Sequence, residues 1–144
     1  MILRVVDIMT RELVVLRQED NLGVVADDME RYGIRHLPVV DEGDVLVGLV
    51  SHRDLLGALI TGNRDTWVHE VMTRDVATVS SGTSVADAAQ VLVDGKLGCV
   101  PVVEPDGRLI GIVTEHDMLR TLVKTLLLED LHEGDLHQRM ARLR

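Results

Sequence analysis

Two rhythms of apolar residues alternate along this chain. The stretches "HLPVV" (36–40), "VLVGLV" (45–50), "CVPVV" (99–103) and "RLIGIV" (108–113) are short and almost continuously apolar. That is the pattern of buried strands bounded by turns. Pro38 and Pro101 suit a strand start or edge. "DEGD" and "EPDG" stand between the members of each pair and carry hairpin residues. "SVADAAQVLVDGK" (84–96) instead has apolar residues at helical spacing and ends at glycine, which predicts a helix. Ser84 with Asp87 makes a capping pair, and Asn21 is a good N-cap for the matching earlier helix. Short strands are expected at Leu13–Leu16 and Val76–Val79. Each half reads β-α-β-β-α, an α+β arrangement.

Residues 7–59 lie over 70–122 with a shift of 63 and no gap. Met9/Met72, Thr10/Thr73, Arg11/Arg74, Pro38/Pro101, Gly48/Gly111 and Asp54/Asp117 coincide as identities. They cluster at turns and helix starts, as a duplicated unit would leave them. The period exceeds the ~20–50 residues of solenoid repeats, so a pseudo-symmetric pair is the better picture. One unit of about 55 residues buries too little surface to stand comfortably alone. Two copies packed about a local two-fold axis are therefore expected. The boundaries are set at 1–62 for the first repeat, 63–67 for a connector, 68–125 for the second repeat and 126–144 for a C-terminal helical extension. Leu122, Leu126, Leu127 and Leu131 recur at helical spacing from the end of the second repeat into this extension, with an interruption near Gly134. That helix either lies on its own core or contacts a second copy.

Composition narrows the class. Hydrophobic residues make up 46% of the 144, yet there is no Phe, one Tyr and one Trp, so the core must be aliphatic. A chain this long buries roughly 68–70% of its unfolded surface and needs no disulfide or metal to hold it. The net charge of −9 offers no cationic field to nucleic acid or an anionic membrane, but it leaves room for a small phosphate held by local arginines. The single cysteine, Cys99, rules out an internal disulfide and fits a reducing, cytoplasmic setting. No apolar run reaches the ~18 residues of a spanning helix. "MILRVVDIMT" is too short and too soon charged for a signal peptide.

The chemistry concentrates at a corner written twice. "GLVSHRDLL" (48–56) and "GIVTEHDML" (111–119) each run a strand into a helix with Gly, a hydroxyl and Asp in the same places. Locally, Ser51 with Asp54 and Thr114 with Asp117 satisfy a capping box. Glu or Gln would reach back to the cap more easily, however, and the recurring glycine suggests close backbone approach. The same atoms fit a nucleoside phosphate. The helix N-terminus favours the phosphate, the hydroxyl joins it, and the carboxylate can accept two hydrogen bonds from a ribose diol.

These residues resemble a tandem pair of CBS domains, a Bateman module, over residues 5–122. The resemblance implies the β-α-β-β-α unit, a pseudo-two-fold pair, a disc-like homodimer and a regulatory role. It also implies that AMP, ADP, ATP, S-adenosylmethionine or a related adenosyl ligand binds in clefts between the copies, with no obligatory cofactor. Carried over, one cleft uses Asp54, Ser51, Leu49 and His36 with Ala77, Leu97 and Gly98 of the second copy. The other uses Asp117, Thr114, Ile112 and Cys99 with Val14, Ile34 and Arg35 of the first. His52 and Arg53, against Glu115 and His116, would lie near the phosphates. Arg53 and Arg35 make the Asp54 side friendlier to phosphate, and Glu115 makes the Asp117 side less so.

Two other classes compete. One is a dimeric interaction scaffold with vestigial clefts. The other is a metal- or redox-linked protein using Cys99 and the histidines. Catalysis is not expected, since spacing suggests no Ser/His/Asp or Cys/His set and Cys99 sits in an apolar strand. His132 and His137 are five apart, off one helical face. Any signal is expected to pass in trans to an effector protein.

Overall fold

The computed structural model describes residues 2–61 and 64–130. Its elements run α1 (Val5–Ile8), α2 (Leu22–Tyr32), β1 (His36–Val40), β2 (Leu46–Ser51), α3 (His52–Ile60), α4 (Val68–Val71), α5 (Val85–Gly95), β3 (Cys99–Val103), β4 (Leu109–Thr114) and α6 (Glu115–Asp130). The sequence accounts for most of the boundaries. Asn21 accepts from the Gly23 amide at 2.8 Å and Ser84 from the Asp87 amide at 3.0 Å, so α2 and α5 begin at the expected caps. Asp7 and Glu70 each sit third in a one-turn helix and accept the amide that precedes it, at 2.9 and 2.8 Å. Helix α2 closes on Gly33 in the left-handed conformation (φ 63°), whereas α5 runs through Gly95 and closes on Lys96 (φ 51°). The left-handed cap is thus one residue later than the glycine suggests, at a position lysine occupies against its preference.

Both hairpins share one register. His36 faces Ser51 and Pro38 faces Leu49 in the first, and Cys99 faces Thr114 and Pro101 faces Ile112 in the second. The strands expected at Leu13–Leu16 and Val76–Val79 shrink to single parallel bridges, Leu16 to Val39 and Val79 to Val102. Leu16 donates to the Pro38 carbonyl and accepts from Val40, both at 2.9 Å. The next rung back would need the amide of Pro38, which proline lacks, and Pro101 stops the other ladder in the same way. The preceding residues are left free to line a cleft. The two turns abut, with Leu46 donating to Gly107 at 3.1 Å and Leu109 to Asp44 at 3.0 Å.

The halves exchange their first helices. Val5 and Met9, which open the chain, are buried with Val79, Ala88, Leu92, Val100, Val102 and Val113 of the second half. Val68 and Met72 are buried with Leu16, Leu22, Val25, Leu37, Val50 and Leu55 of the first. Backbone bonds fasten each exchange. Val5 donates to Thr83 and Val85 to Leu3, while Leu22 donates to Thr66 and Val68 to Asp20, at 2.8 to 3.0 Å. The repeat seen along the chain is therefore not the unit that packs.

Only the first turns of α6 rest on the core. Asp117 is buried there, but Leu122 and Leu126 are exposed and Leu127 is half-buried. Over the described residues, Leu122 and Leu126 therefore do not pack on the core of this chain. Leu131 and the rest of the expected extension lie outside the described residues. No described helix is long and apolar enough to cross a membrane.

Candidate functional site

At the matching glycines the halves touch closely. A Cβ on Gly48 would stand 2.6 Å from Met72 Sδ and 3.0 Å from the Thr73 carbonyl oxygen. A Cβ on Gly111 would stand 2.6 Å from Met9 Sδ and 3.1 Å from the Thr10 carbonyl oxygen. Each Met-Thr step lies across the other half's second strand and pairs with it, Thr10 with Ile112 and Thr73 with Leu49, through bonds of 2.9 to 3.0 Å. The repeated Gly, Met and Thr identities thus form one reciprocal contact.

That contact floors an open cleft of about 1160 Å3 between the halves. The first predicted set lines it in full: Asp54, Ser51, Leu49, His36, Ala77, Leu97 and Gly98, with Arg53 beside them. From the second set, Thr114, Ile112, Cys99, Val14, Ile34 and Arg35 line the same cleft, as does His116. Asp117 does not; it is turned into the protein. Sequence reasoning missed Thr10, Thr73, Lys96 and the equivalent acids Glu12 and Asp75 in the lining. The Thr10/Thr73 identity was a usable signal, but the crossing that brings both to the cleft is not written locally.

The two corners use their carboxylates differently. At α3, the Asp54 amide donates to Ser51 Oγ at 3.2 Å, and Asp54 Oδ2 accepts the Ser51 amide at 2.9 Å. This is a complete capping box that occupies one carboxylate oxygen. Asp54 Oδ1 accepts no hydrogen bond from a described residue, and the side chain is half-buried. At α6, Asp117 Oδ2 accepts from the Thr114 amide at 2.9 Å and the Thr114 hydroxyl at 3.1 Å. Thr10 Oγ1 stands 3.4 Å from both Asp117 oxygens. The buried acid is satisfied by two threonines that stand between it and the cleft.

His36 bridges the corners. Its ring lies against Gly98, where a Cβ would come within 2.6 Å of Cε1. Burial holds its pKa below the ordinary imidazole value of 6.5; Glu115 and Asp54 pull it upward and Arg35 pushes it down. The folded state thus favours neutral His36, and the unfolded chain takes up the proton first as pH falls. Stability should decline as pH drops below 6.5 and level off once folded His36 is also protonated. Urea melts from about pH 7.5 to pH 5 should show this slope, reduced in His36→Gln; an unchanged slope would dismiss His36 as its source.

Cys99 is buried, and burial, with Glu115 nearby, pushes its thiol up to about 12. A thiol so raised supplies no thiolate near neutral pH. Among the described residues no three His, Cys, Asp or Glu side chains are grouped to hold a metal ion. His132 and His137 lie outside the described residues.

Comparison with known proteins bears on the family and the fold. Residues 5–61 and 68–124 each match the CBS domain. The protein MJ1225 of Methanocaldococcus jannaschii is 37% identical over 127 residues, covering 79% of this chain and 45% of that protein, so the chain spans under half of it. The CBS domain pair of protein MJ0100, solved with 5-methylthioadenosine and S-adenosyl-L-methionine, superposes with a TM-score of 0.80 at 31% identity, covering 87% of this chain and 99% of that one. CBSX2 of Arabidopsis thaliana, solved with AMP, superposes with a TM-score of 0.79 at 31% identity, covering 85% and 98%. With two matches that together span most of its length, the chain belongs to the CBS domain family as a tandem pair.

Proposed function

We propose that this chain is a regulatory module that binds an adenosine-containing ligand in the cleft between its repeats and passes a change of shape or partner to an effector protein in trans. The ligand class is AMP, ADP, ATP or an S-adenosylmethionine-like compound. The observation that carries the reading is the Asp54 corner, where a half-buried carboxylate has one oxygen uncommitted in an open cleft of about 1160 Å3. In this reading Asp54 accepts hydrogen bonds from the ribose diol. Ser51 and the first amides of α3 face a phosphate, joined by Arg53 and Arg35. Leu49, Ala77 and Leu97 sandwich the base. The adenosyl ligands of MJ0100 and the AMP of CBSX2 support the ligand class. No catalytic step is assigned.

The same reading makes the protein a cytoplasmic homodimer. Leu56 and Ile60 on α3 are 47% and 85% exposed. Their equivalents on α6, Leu119 and Val123, are 60% and 41% exposed, so apolar residues stand out on both second helices. A native mass spectrum would count the subunits and reveal a co-purified nucleotide.

Thermal denaturation tests the binding directly. AMP, ATP or S-adenosylmethionine at 100 times its Kd should add about 2.7 kcal/mol, a rise of several degrees in Tm. Asp54→Ala should lose most of that rise. If none of the three moves Tm, the scaffold with vestigial clefts becomes the better account.

A further inference from the structure

The nucleotide reading leaves open how many ligands one chain takes, and on which side. The corners are equivalent in sequence, yet the structure has made them unequal. We infer that this chain holds one adenosyl ligand, at the Asp54 corner, because its own Thr10 closes the Asp117 corner. The inference rests on the nucleotide reading and adds stoichiometry and side to it.

A carboxylate holds a vicinal diol by accepting a hydrogen bond from each hydroxyl, so it needs free acceptor positions facing the ligand. Asp54 lines the cleft, and its Oδ1 accepts from no described residue. Asp117 is 5% exposed and is not among the residues lining the cleft. Its Oδ2 is taken by the Thr114 amide and hydroxyl, and the Thr10 hydroxyl spans both oxygens. Thr73, equivalent to Thr10, makes no such bond to Asp54 among the described residues. A diol arriving at Asp117 would have to displace Thr10. The Thr10 backbone is fixed on both sides, donating to Ile112 at 2.9 Å and accepting from it at 3.0 Å. Removing a hydroxyl already bonded to a buried carboxylate gives back much of what a new hydroxyl would gain.

The flanking charges point the same way. The first turn of α3 carries His52 and Arg53, where α6 carries Glu115 and His116. An anionic tail therefore meets a cation at the Asp54 corner and a carboxylate at the other.

Isothermal titration of the full chain with AMP, ATP and S-adenosylmethionine, with amide NMR of the 15N-labelled protein, tests this. One ligand per chain is expected, with the Ser51–Asp54 amides moving and the Thr114–Asp117 amides still. Asp54→Asn should weaken binding at least about tenfold. The amide shifts in the unaltered protein locate the ligand even if that variant is unstable. Two ligands per chain, or shifts centred on Thr114–Asp117, would overturn the single-site inference while leaving nucleotide binding intact. No binding by any of the three ligands would overturn the nucleotide reading and this inference together.

Discussion

Cut after Thr61, the chain should give two fragments that are unfolded apart and fold when mixed. Each repeat looks self-sufficient along the sequence, but each packed core borrows two buried side chains from the other. The first core needs Val68 and Met72, and the second needs Val5 and Met9. Burying a side chain of this size contributes about 1.5–3 kcal/mol, so each fragment forgoes about 3–6 kcal/mol. A whole small protein has only about 5–15 kcal/mol of net stability. Each fragment also loses the backbone bonds to its borrowed helix, such as Val68 to Asp20 and Val5 to Thr83. Circular dichroism of residues 1–61, of residues 62–144 and of their equimolar mixture would decide. A cooperative melt from either fragment alone, as a monomer, would show that the exchange of α1 and α4 is dispensable.

Gly48→Ala, with its counterpart Gly111→Ala, should give the largest loss from adding a single methyl. The new Cβ at 48 would meet Met72 Sδ at 2.6 Å and the Thr73 carbonyl at 3.0 Å. Methionine is unbranched and can swing aside. The carbonyl cannot, because Thr73 is bonded to Leu49 in both directions at 2.9 Å. Overpacking of this kind costs about 1–3 kcal/mol, and the fixed carbonyl places this case near the top of that range. The urea midpoint should fall accordingly with the slope unchanged. Met72→Ala alone opens a cavity and should also destabilise. The pair should cost less than the sum of the singles, since the shortened side chain makes room for the methyl. Strict additivity would mean that Gly48 and Met72 do not press on one another.

Much of this protein was legible in the sequence because its signals are local. Asn21 and Ser84 announce two helices, "DEGD" and "EPDG" announce two hairpins, and the 63-residue shift announces the duplication. The resemblance carried the lining of the cleft, including residues as far apart as Asp54 and Ala77. Other features depended on groups brought together from distant parts of the chain. Pro38 lies far from Val14 in sequence, so the failure of the leading strand follows only once their backbones are set side by side. The exchange of α1 and α4 leaves the periodicity of either half unaltered, because an apolar turn reads the same whichever core it enters. Above all, Asp54 and Asp117 are one motif written twice, and a motif fixes only the box around its own helix start. Whether the remaining carboxylate oxygen faces a cleft or a threonine depends on a residue 107 positions away, Thr10, and only the packed structure sets that distance.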